Sequence, residues 1–419
     1  MPPAMRIVHF ADVHIGVESY GKVDPQTGLS SRLGDFLRSL DEVVDYAVES
    51  RADLALFCGD AYKSRDPSQT HQREFARRIA RLSAAGVPVF LVEGNHDIPN
   101  VVGRASALDI FRTLPAPNVH IASQLDAYTV PTPSGPLAIV AVPWVRRGTF
   151  LSREDTRGMN PDEVNEAIQQ RLSDAIAAIA AGLDPSVPAI LAGHVTVSGA
   201  RTSSEQSMML GRDHVLLLSN VALPRFEYVA LGHVHRHQVL GREPHVVYAG
   251  ALERVDFGEE DDTKGFCVID LDPSKPQGGR MTGFEFRPVN ARAMVTIEVE
   301  VKPDDADPTA TVVGAIGRHN VQGAIVRVRV RLPGQMEGRL HDAEVRKALE
   351  RAHYVAAISK EITDAPRVRL GGAYTQGLSP RDALQAYLGT RDITPERAAL
   401  LTERAQELFD AVSDDDRGG

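Results

Sequence analysis

The chain reads as an α/β protein whose sheets are covered on their faces, and three observations carry that expectation. Over residues 1–285, short apolar runs alternate with segments of helical periodicity. The runs are apolar nearly throughout rather than at every second position, as in strands buried beneath helices. With 419 residues, 43% of them hydrophobic and 24% charged, the chain can build two or three domains around sizeable cores.

The strand-like runs are Arg6–Ala11, Leu54–Cys58, Val87–Val92, Leu137–Val142, Ala189–Ala192, Tyr228–Leu231, Val246–Ala249 and Phe266–Leu271. Between the first three, Ser31–Ser50 spaces Leu33, Phe36, Leu37, Leu40, Val43, Val44 and Ala47 helically. Thr70–Ala85 does the same with Phe75, Ile79 and Leu82. Pro161 opens a further helix to about Gly182, since proline suits a first helical turn. After Pro288 the pattern changes. Val295, Ile297, Val299 and Val301 alternate with Thr296, Glu298, Glu300 and Lys302. Ile325–Leu332 then alternates valines and Leu332 with Arg327, Arg329 and Arg331, so both segments read as half-buried strands. A helix over His341–Arg351 and a strand over Ala356–Ile362 follow. The expected organisation is a core over 1–285, a small α+β region over 286–370, and a tail over 371–419. That tail would hold a linker at Gly371–Ser379 and helices at Pro380–Leu388 and Pro395–Val412.

Composition narrows the partners. A net charge of −10 argues against a generally sticky polyanion binder, but a local patch or bound metal ions still admit nucleic acid. Two distant cysteines, Cys58 and Cys267, exclude a disulfide framework and a CxxC zinc module. No apolar run approaches the roughly 20 residues needed to cross a bilayer. The opening Met1–Arg6 lacks the basic and apolar regions of a secretory signal, so a cytoplasmic setting without membrane is expected. The chain has no GxxxxGK[ST] loop, so any ATP hydrolysis by that route would come from another protein.

The chemistry gathers where strands end. The first run leads into Ala11-Asp12-Val13-His14, the second into Gly59-Asp60, and the third into Gly94-Asn95-His96-Asp97. Later come Gly193-His194 and Gly232-His233-Val234-His235. Sites in open α/β sheets form beyond the carboxyl ends of strands. Such endings would bring Asp12, His14, Asp60, Asn95, His194, His233 and His235 together. Two carboxylates, an amide oxygen and four imidazoles exceed one tetrahedral zinc and include no thiolate. They suit two divalent ions sharing a carboxylate, an arrangement fitted to in-line displacement at phosphorus.

The ordered set DVH, GDxY, GNHD, GHV and GHVH resembles the calcineurin-like metallophosphoesterase superfamily and, within it, the SbcD-type nucleases. Met5–Gly16, Gly59–Ser68 and Gly94–Asp97 carry the likeness most specifically. The resemblance implies a sandwich of two sheets flanked by helices, a small α+β capping domain and a C-terminal helix pair. It implies two Mn²⁺ ions, with Mg²⁺ as the alternative. Asp12, His14, Asp60 and His235 would hold the first ion. Asp60, Asn95, His194 and His233 would hold the second. His96 would stabilise or protonate the leaving 3′ oxygen, and Asp97 would orient its imidazole. The implied activity is 3′→5′ exonuclease action on double-stranded ends and endonucleolytic cutting of hairpins, in DNA repair and recombination. The implied partners are DNA, a second copy of the chain, and an SbcC-type SMC-like ATPase engaged by the terminal helices. The rival reading is a phosphatase or phosphodiesterase of the same superfamily acting on a small molecule.

Where family members carry Asp or His after the bridging aspartate, this sequence carries Lys63. It reads either as a point-charge grip on phosphate or as a solvated lysine. Arg65, Arg146, Arg147, Arg201 and Arg236 lie near the motif loops and are the further candidates for phosphate contact. The row Arg327, Arg329, Arg331 reads as a face neutralised by the glutamates of the neighbouring strand. Trp144 reads as core packing and His237 as exposed.

Overall fold

The computed structural model describes residues 4–99, 101, 103–114, 116–146, 158–203, 215–363, 384, 388 and 394–415. The chain divides into two units. One comprises 1–299, 309–330 and 341–359; the other comprises 300–308, 331–340 and 360–419.

Seventeen strands lie among the described residues. In chain order they are β1 (Met5–Phe10), β2 (Leu54–Cys58), β3 (Val89–Val92), β4 (Val119–Ala122), β5 (Asp126–Thr132), β6 (Gly135–Val142), β7 (Ala189–His194), β8 (Thr196–Val197), β9 (Val215–Leu216), β10 (Tyr228–Gly232), β11 (Gln238–Arg242), β12 (His245–Tyr248), β13 (Gly265–Leu271), β14 (Met281–Pro288), β15 (Met294–Glu300), β16 (Ile325–Leu332) and β17 (Tyr354–Ile362). One six-stranded sheet runs β14-β13-β1-β2-β3-β4 and another runs β11-β12-β10-β7-β6-β5. Their central strands are parallel: β1 with β2, β2 with β3, β6 with β7, and β7 with β10. Antiparallel strands flank them, β13 and the edge strand β14 on one side of the first sheet and the edges β5 and β11 on the second, while the other edge of the first sheet, β4, is parallel to β3.

Period-two geometry explains the layering. On β1, Val8 and Phe10 point to a cluster shared with Leu40 and Val44 of helix α1 (Ser31–Glu49) and Phe75 and Ile79 of helix α2 (Gln69–Ala84). Met5 and Ile7 point the other way, into a second cluster with Ile139, Ile190, Ala230 and Val247 of the other sheet. On β7, Ala189 and Leu191 face Ile168, Leu172 and Ile176 of the helix Pro161–Ala181. Each central strand is therefore buried on both faces, and its sequence is correspondingly apolar on both. Side-chain caps begin the helices. The Ser30 and Ser68 hydroxyls accept from the backbone of Arg32 and His71, and Asn160 with Glu163 closes a capping box.

The expected two-sheet α/β architecture is observed, with strand ends within a few residues of those expected. The sequence reading missed the edge strands β4, β5, β11 and β14. β14 has no fully buried residue, and Asp126 and Ala127 at the start of β5 are exposed, so an apolar run does not mark either strand. The third sheet runs β15-β16-β17. The helix Asp342–Ala348 is shorter than expected, and Pro395–Asp415 runs slightly further. The expected linker at 371–379 lies outside the described residues, as does all of the expected 380–388 helix except 384 and 388. No helix among the described residues is long and apolar enough to cross a membrane.

Candidate metal centre

The chain lays its polar residues at one end of the paired sheets by continuing the β1–β2 ladder beyond the strands. Asp12 N donates to Gly59 O at 3.0 Å, and His14 N to Asp60 O at 3.1 Å. The turns that follow are strained. Seven described non-glycine residues have positive φ, and four of them are Asp12 (52°), His14 (50°), Asp60 (61°) and His233 (93°). Such conformations gather where surroundings over-determine the backbone, commonly at functional sites. Three of the motif glycines have a steric reason to be glycine. At Gly59, with φ 91°, a Cβ would run into the His194 imidazole, at Gly94 into the Asp60 carboxylate, and at Gly232 into the Cys58 carbonyl.

All seven residues expected from the strand ends meet here. His14 Nε2 lies 2.9 Å from His235 Nε2 and 3.7 Å from Asp60 Oδ2. His194 Nε2 lies 3.4 Å from Asp60 Oδ2 and 3.0 Å from Asn95 Oδ1, which is also 3.2 Å from His233 Nδ1. Donor atoms of Asp12, His14 and His235 all lie within 4.8 Å of one another. The same holds for Asp12, Asp60 and His194, and for His14, Asp60 and His96. Asp12, His14, Asp60, His194, His233 and His235 are all buried.

Burial sets the charges of the cluster against one another. Burial pushes the Asp12 carboxyl up to about 6, against the pull of the nearby histidines. It would raise Asp60 too, but His194, His96 and His14 hold Asp60 well below the carboxylate range. Burial would lower His194, yet Asp60 and Asp12 lift it to about 9. Opposed nitrogens of His14 and His235 require a proton between them unless a cation takes both lone pairs. Two imidazole nitrogens on one divalent ion, each about 2.1 Å from it, stand roughly 3 Å apart. His14 Nδ1 is buried without a hydrogen-bond partner among the described residues. The donor set and its spacing thus fit divalent metal.

Other ring nitrogens are fixed from outside the cluster. His194 Nδ1 meets the Cys58 carbonyl at 2.7 Å, and His96 Nδ1 meets the Lys63 carbonyl at 2.8 Å. His235 Nδ1 meets Glu259 Oε1 at 2.7 Å.

Several expectations need correction. Asp97 does not orient His96: its buried carboxylate accepts from the backbone N–H groups of Asp60, Ala61 and Gly94 at 2.8–3.0 Å. Burial, with Asp60 nearby, pushes it up to about 7. It shapes the Asp60 and Gly94 turns, and the Lys63 carbonyl holds the imidazole instead. Arg65 Nε donates to the Asn95 carbonyl at 2.9 Å, so it braces a member of the cluster. Arg236 pairs with Asp262 at 3.1 Å. Arg146 is half-buried, and Arg147 lies outside the described residues. Trp144 is not a core residue. Its half-buried ring packs 5.0 Å from His233 and 6.2 Å from His194. His237 is not exposed either; it stacks on Phe286 at 3.8 Å, with Nδ1 at the Tyr248 carbonyl. Glu259 and Lys264 were missed outright. They sit in or beside an acidic Gly-Glu-Glu-Asp-Asp stretch that reads as solvated surface, yet both are buried.

The chain is similar to the Staphylococcus epidermidis protein named as the SbcD component of nuclease SbcCD, with 26% identity over 64% of this chain and 66% of that one. To the protein of the same name in Escherichia coli K12 it is also 26% identical, over 61% of this chain and 62% of that one. The match thus spans a little under two thirds of those relatives. Among solved structures it is similar to a dimetal phosphatase of Danio rerio, with 13% identity, a TM-score of 0.40, and coverage of 64% of this chain and 93% of that one. The sequence profile described as calcineurin-like phosphoesterase matches residues 5–237, more than half of the chain and every member of the cluster. On that match, the chain belongs to the calcineurin-like phosphoesterase family.

Proposed function

We propose that this chain is a two-metal DNA nuclease, the SbcD component of an SbcC–SbcD-type complex. Asp12, His14, Asp60 and His235 hold one Mn²⁺ ion in this reading, and Asp60, Asn95, His194 and His233 hold the other, with Mg²⁺ able to substitute. The observation that carries it is the convergence of two carboxylates, an amide oxygen and four imidazoles from both sheets, with neighbouring donors 2.9–3.7 Å apart. The similarity to two proteins named as components of a nuclease supports DNA over a small phosphoester.

Two metal ions held by these residues would supply an activated nucleophile and positive charge against the phosphate oxygens. The chain's own residues do the rest. His96, its Nδ1 at the Lys63 carbonyl, keeps Nε2 for the proton exchanged with the leaving 3′ oxygen. Asp97 holds the Asp60 and Gly94 turns in register, and Arg65 holds Asn95. Lys63, Arg146 and Arg147 meet the DNA backbone without reading sequence. The organisation proposed is a nuclease domain over 1–285, an α+β capping domain over 286–370, and a tail over 371–419. In the tail the helix Pro395–Asp415, with Leu400 and Leu401 exposed, meets the ATPase. The chain acts in the cytoplasm as a homodimer in DNA repair and recombination.

The test is Mn²⁺-dependent digestion of an end-labelled hairpin and a blunt duplex, with and without the ATPase, beside a chromogenic phosphodiester. Hairpin opening and 3′→5′ shortening are expected. Turnover of the chromogenic ester alone would overturn the DNA reading.

A further inference from the structure

His235 is held from behind by a buried ion pair that the family motifs do not contain. Its Nδ1 faces Glu259 Oε1 at 2.7 Å, and its Nε2 faces His14 Nε2 at 2.9 Å. The second carboxylate oxygen of Glu259 takes the Lys264 ammonium at 2.7 Å and the Val255 backbone N–H at 3.1 Å. Lys264 Nζ in turn donates to the backbone carbonyl of His235 at 3.1 Å. The three groups thus form a closed ring: ammonium on carboxylate, carboxylate on imidazole, ammonium on the same histidine's main chain. Glu259 and the Lys264 side chain are wholly buried. Arg254 fixes the supporting backbone, donating to the carbonyls of Glu259 and Glu260 at 3.2 Å and of Asp262 at 2.8 Å.

The chemistry of this ring decides a tautomer. A carboxylate only accepts, so the imidazole nitrogen against it must carry the proton. That leaves the Nε2 lone pair of His235 directed into the cluster. Lys264 supplies the charge that keeps Glu259 ionised in a buried position, where a lone carboxylate would be costly. Outer carboxylates of this kind fix ring orientation and raise ligand basicity.

We propose that Glu259 and Lys264 form a positioning pair that locks His235 with Nε2 open toward metal, and so set the affinity of one of the two ion sites. This rests on the two-metal reading above. Glu259→Gln is the sharp probe, because the amide offers one oxygen where the ring has donors on both sides.

The experiment measures Mn²⁺ binding by titration calorimetry on the full chain and its variants, with circular dichroism as a check on folding. It also reads the histidine tautomers of the metal-free wild type by ¹⁵N NMR. We expect His235 as the Nδ1–H tautomer. We expect Glu259→Gln to lose about 10–100-fold in affinity at one ion while the other binds as before. Glu227→Gln removes a different buried carboxylate, paired with Arg280 at 3.7 Å and bonded to Gly278 N, and should leave both affinities within about twofold. Equal Mn²⁺ affinities in Glu259→Gln and wild type would overturn the pair's role. So would an Nε2–H tautomer at His235, which needs no variant to detect. A wild type that binds no Mn²⁺ would instead defeat the two-metal reading, with the tautomer still deciding the clamp.

Discussion

Strand β16 and the cluster at the strand ends are both crowded with charge, and they resolve that crowding in opposite ways. On β16, each arginine has a local counterpart. Arg327 bonds the Thr296 hydroxyl, lies over the Phe257 ring at 4.3 Å and approaches Glu260 at 3.9 Å. Arg329 meets Glu298 at 3.4 Å, and Arg331 meets Glu361 at 3.0 Å. The cluster instead sets Asp12 and Asp60 among imidazoles and backbone N–H groups, and His194 is driven up to about 9 in response. Neutralised charge needs nothing further from outside. Buried donors crowded to 2.9–3.7 Å of one another, with charge of both signs among them, make a place fitted to a cation.

The largest effect should come from removing the cation or the group that would bridge two of them. Chelation, or Asp60→Ala, is expected to abolish cleavage of duplex and hairpin. Activity surviving either treatment would erase the contrast. His96→Ala should cost about 10²–10⁴-fold in cleavage while Mn²⁺ binding and fold persist, read by single-turnover digestion and calorimetry. Unchanged cleavage would remove His96 from the chemistry.

A third region sharpens the neutralised side. Asp35 is buried beneath Arg32 at 2.9 Å, Arg292 at 2.5 Å and Arg38 at 2.6 Å. Burial would raise its carboxyl, but Arg292, Arg38 and Arg32 hold it below the usual range. A depressed carboxylate stabilises fully above its unfolded value near about 3.9, and that stability is lost as pH falls through the folded value. Asp35→Asn should therefore cost about 3–5 kcal/mol at pH 7 by urea denaturation, with the wild-type and variant curves converging below about pH 4. A cost independent of pH would contradict the assignment. The smallest effect belongs to Arg329→Ala. An exposed pair is worth about 0–1 kcal/mol, and duplex affinity by fluorescence anisotropy should shift less than about twofold. A tenfold loss of affinity would make β16 a DNA contact after all.

The central strands were legible because burial on both faces leaves an unbroken apolar run, as in Leu54–Cys58. The members of the cluster were legible because each ends or follows a strand, and four of them, Asp60, Asn95, His194 and His233, stand directly behind a glycine. Edge strands such as β14 carry no such run. The misassigned and the missed residues share another cause. Misassigned Asp97 and Trp144, and the missed Glu259 and Lys264, each take their role at least in part from a partner distant in sequence, as Glu259 does with His235, 24 residues away. Spacing along the chain records which residues end a strand. It does not record which backbone N–H a carboxylate will cap, nor which ammonium will be buried against it.

The most direct test of the account is the stoichiometry of Mn²⁺ on the unmodified, metal-stripped chain, counted by equilibrium dialysis and by the spin coupling of adjacent ions in electron paramagnetic resonance. Two ions per chain with a coupled spectrum are expected. A single uncoupled ion, or none, would contradict it.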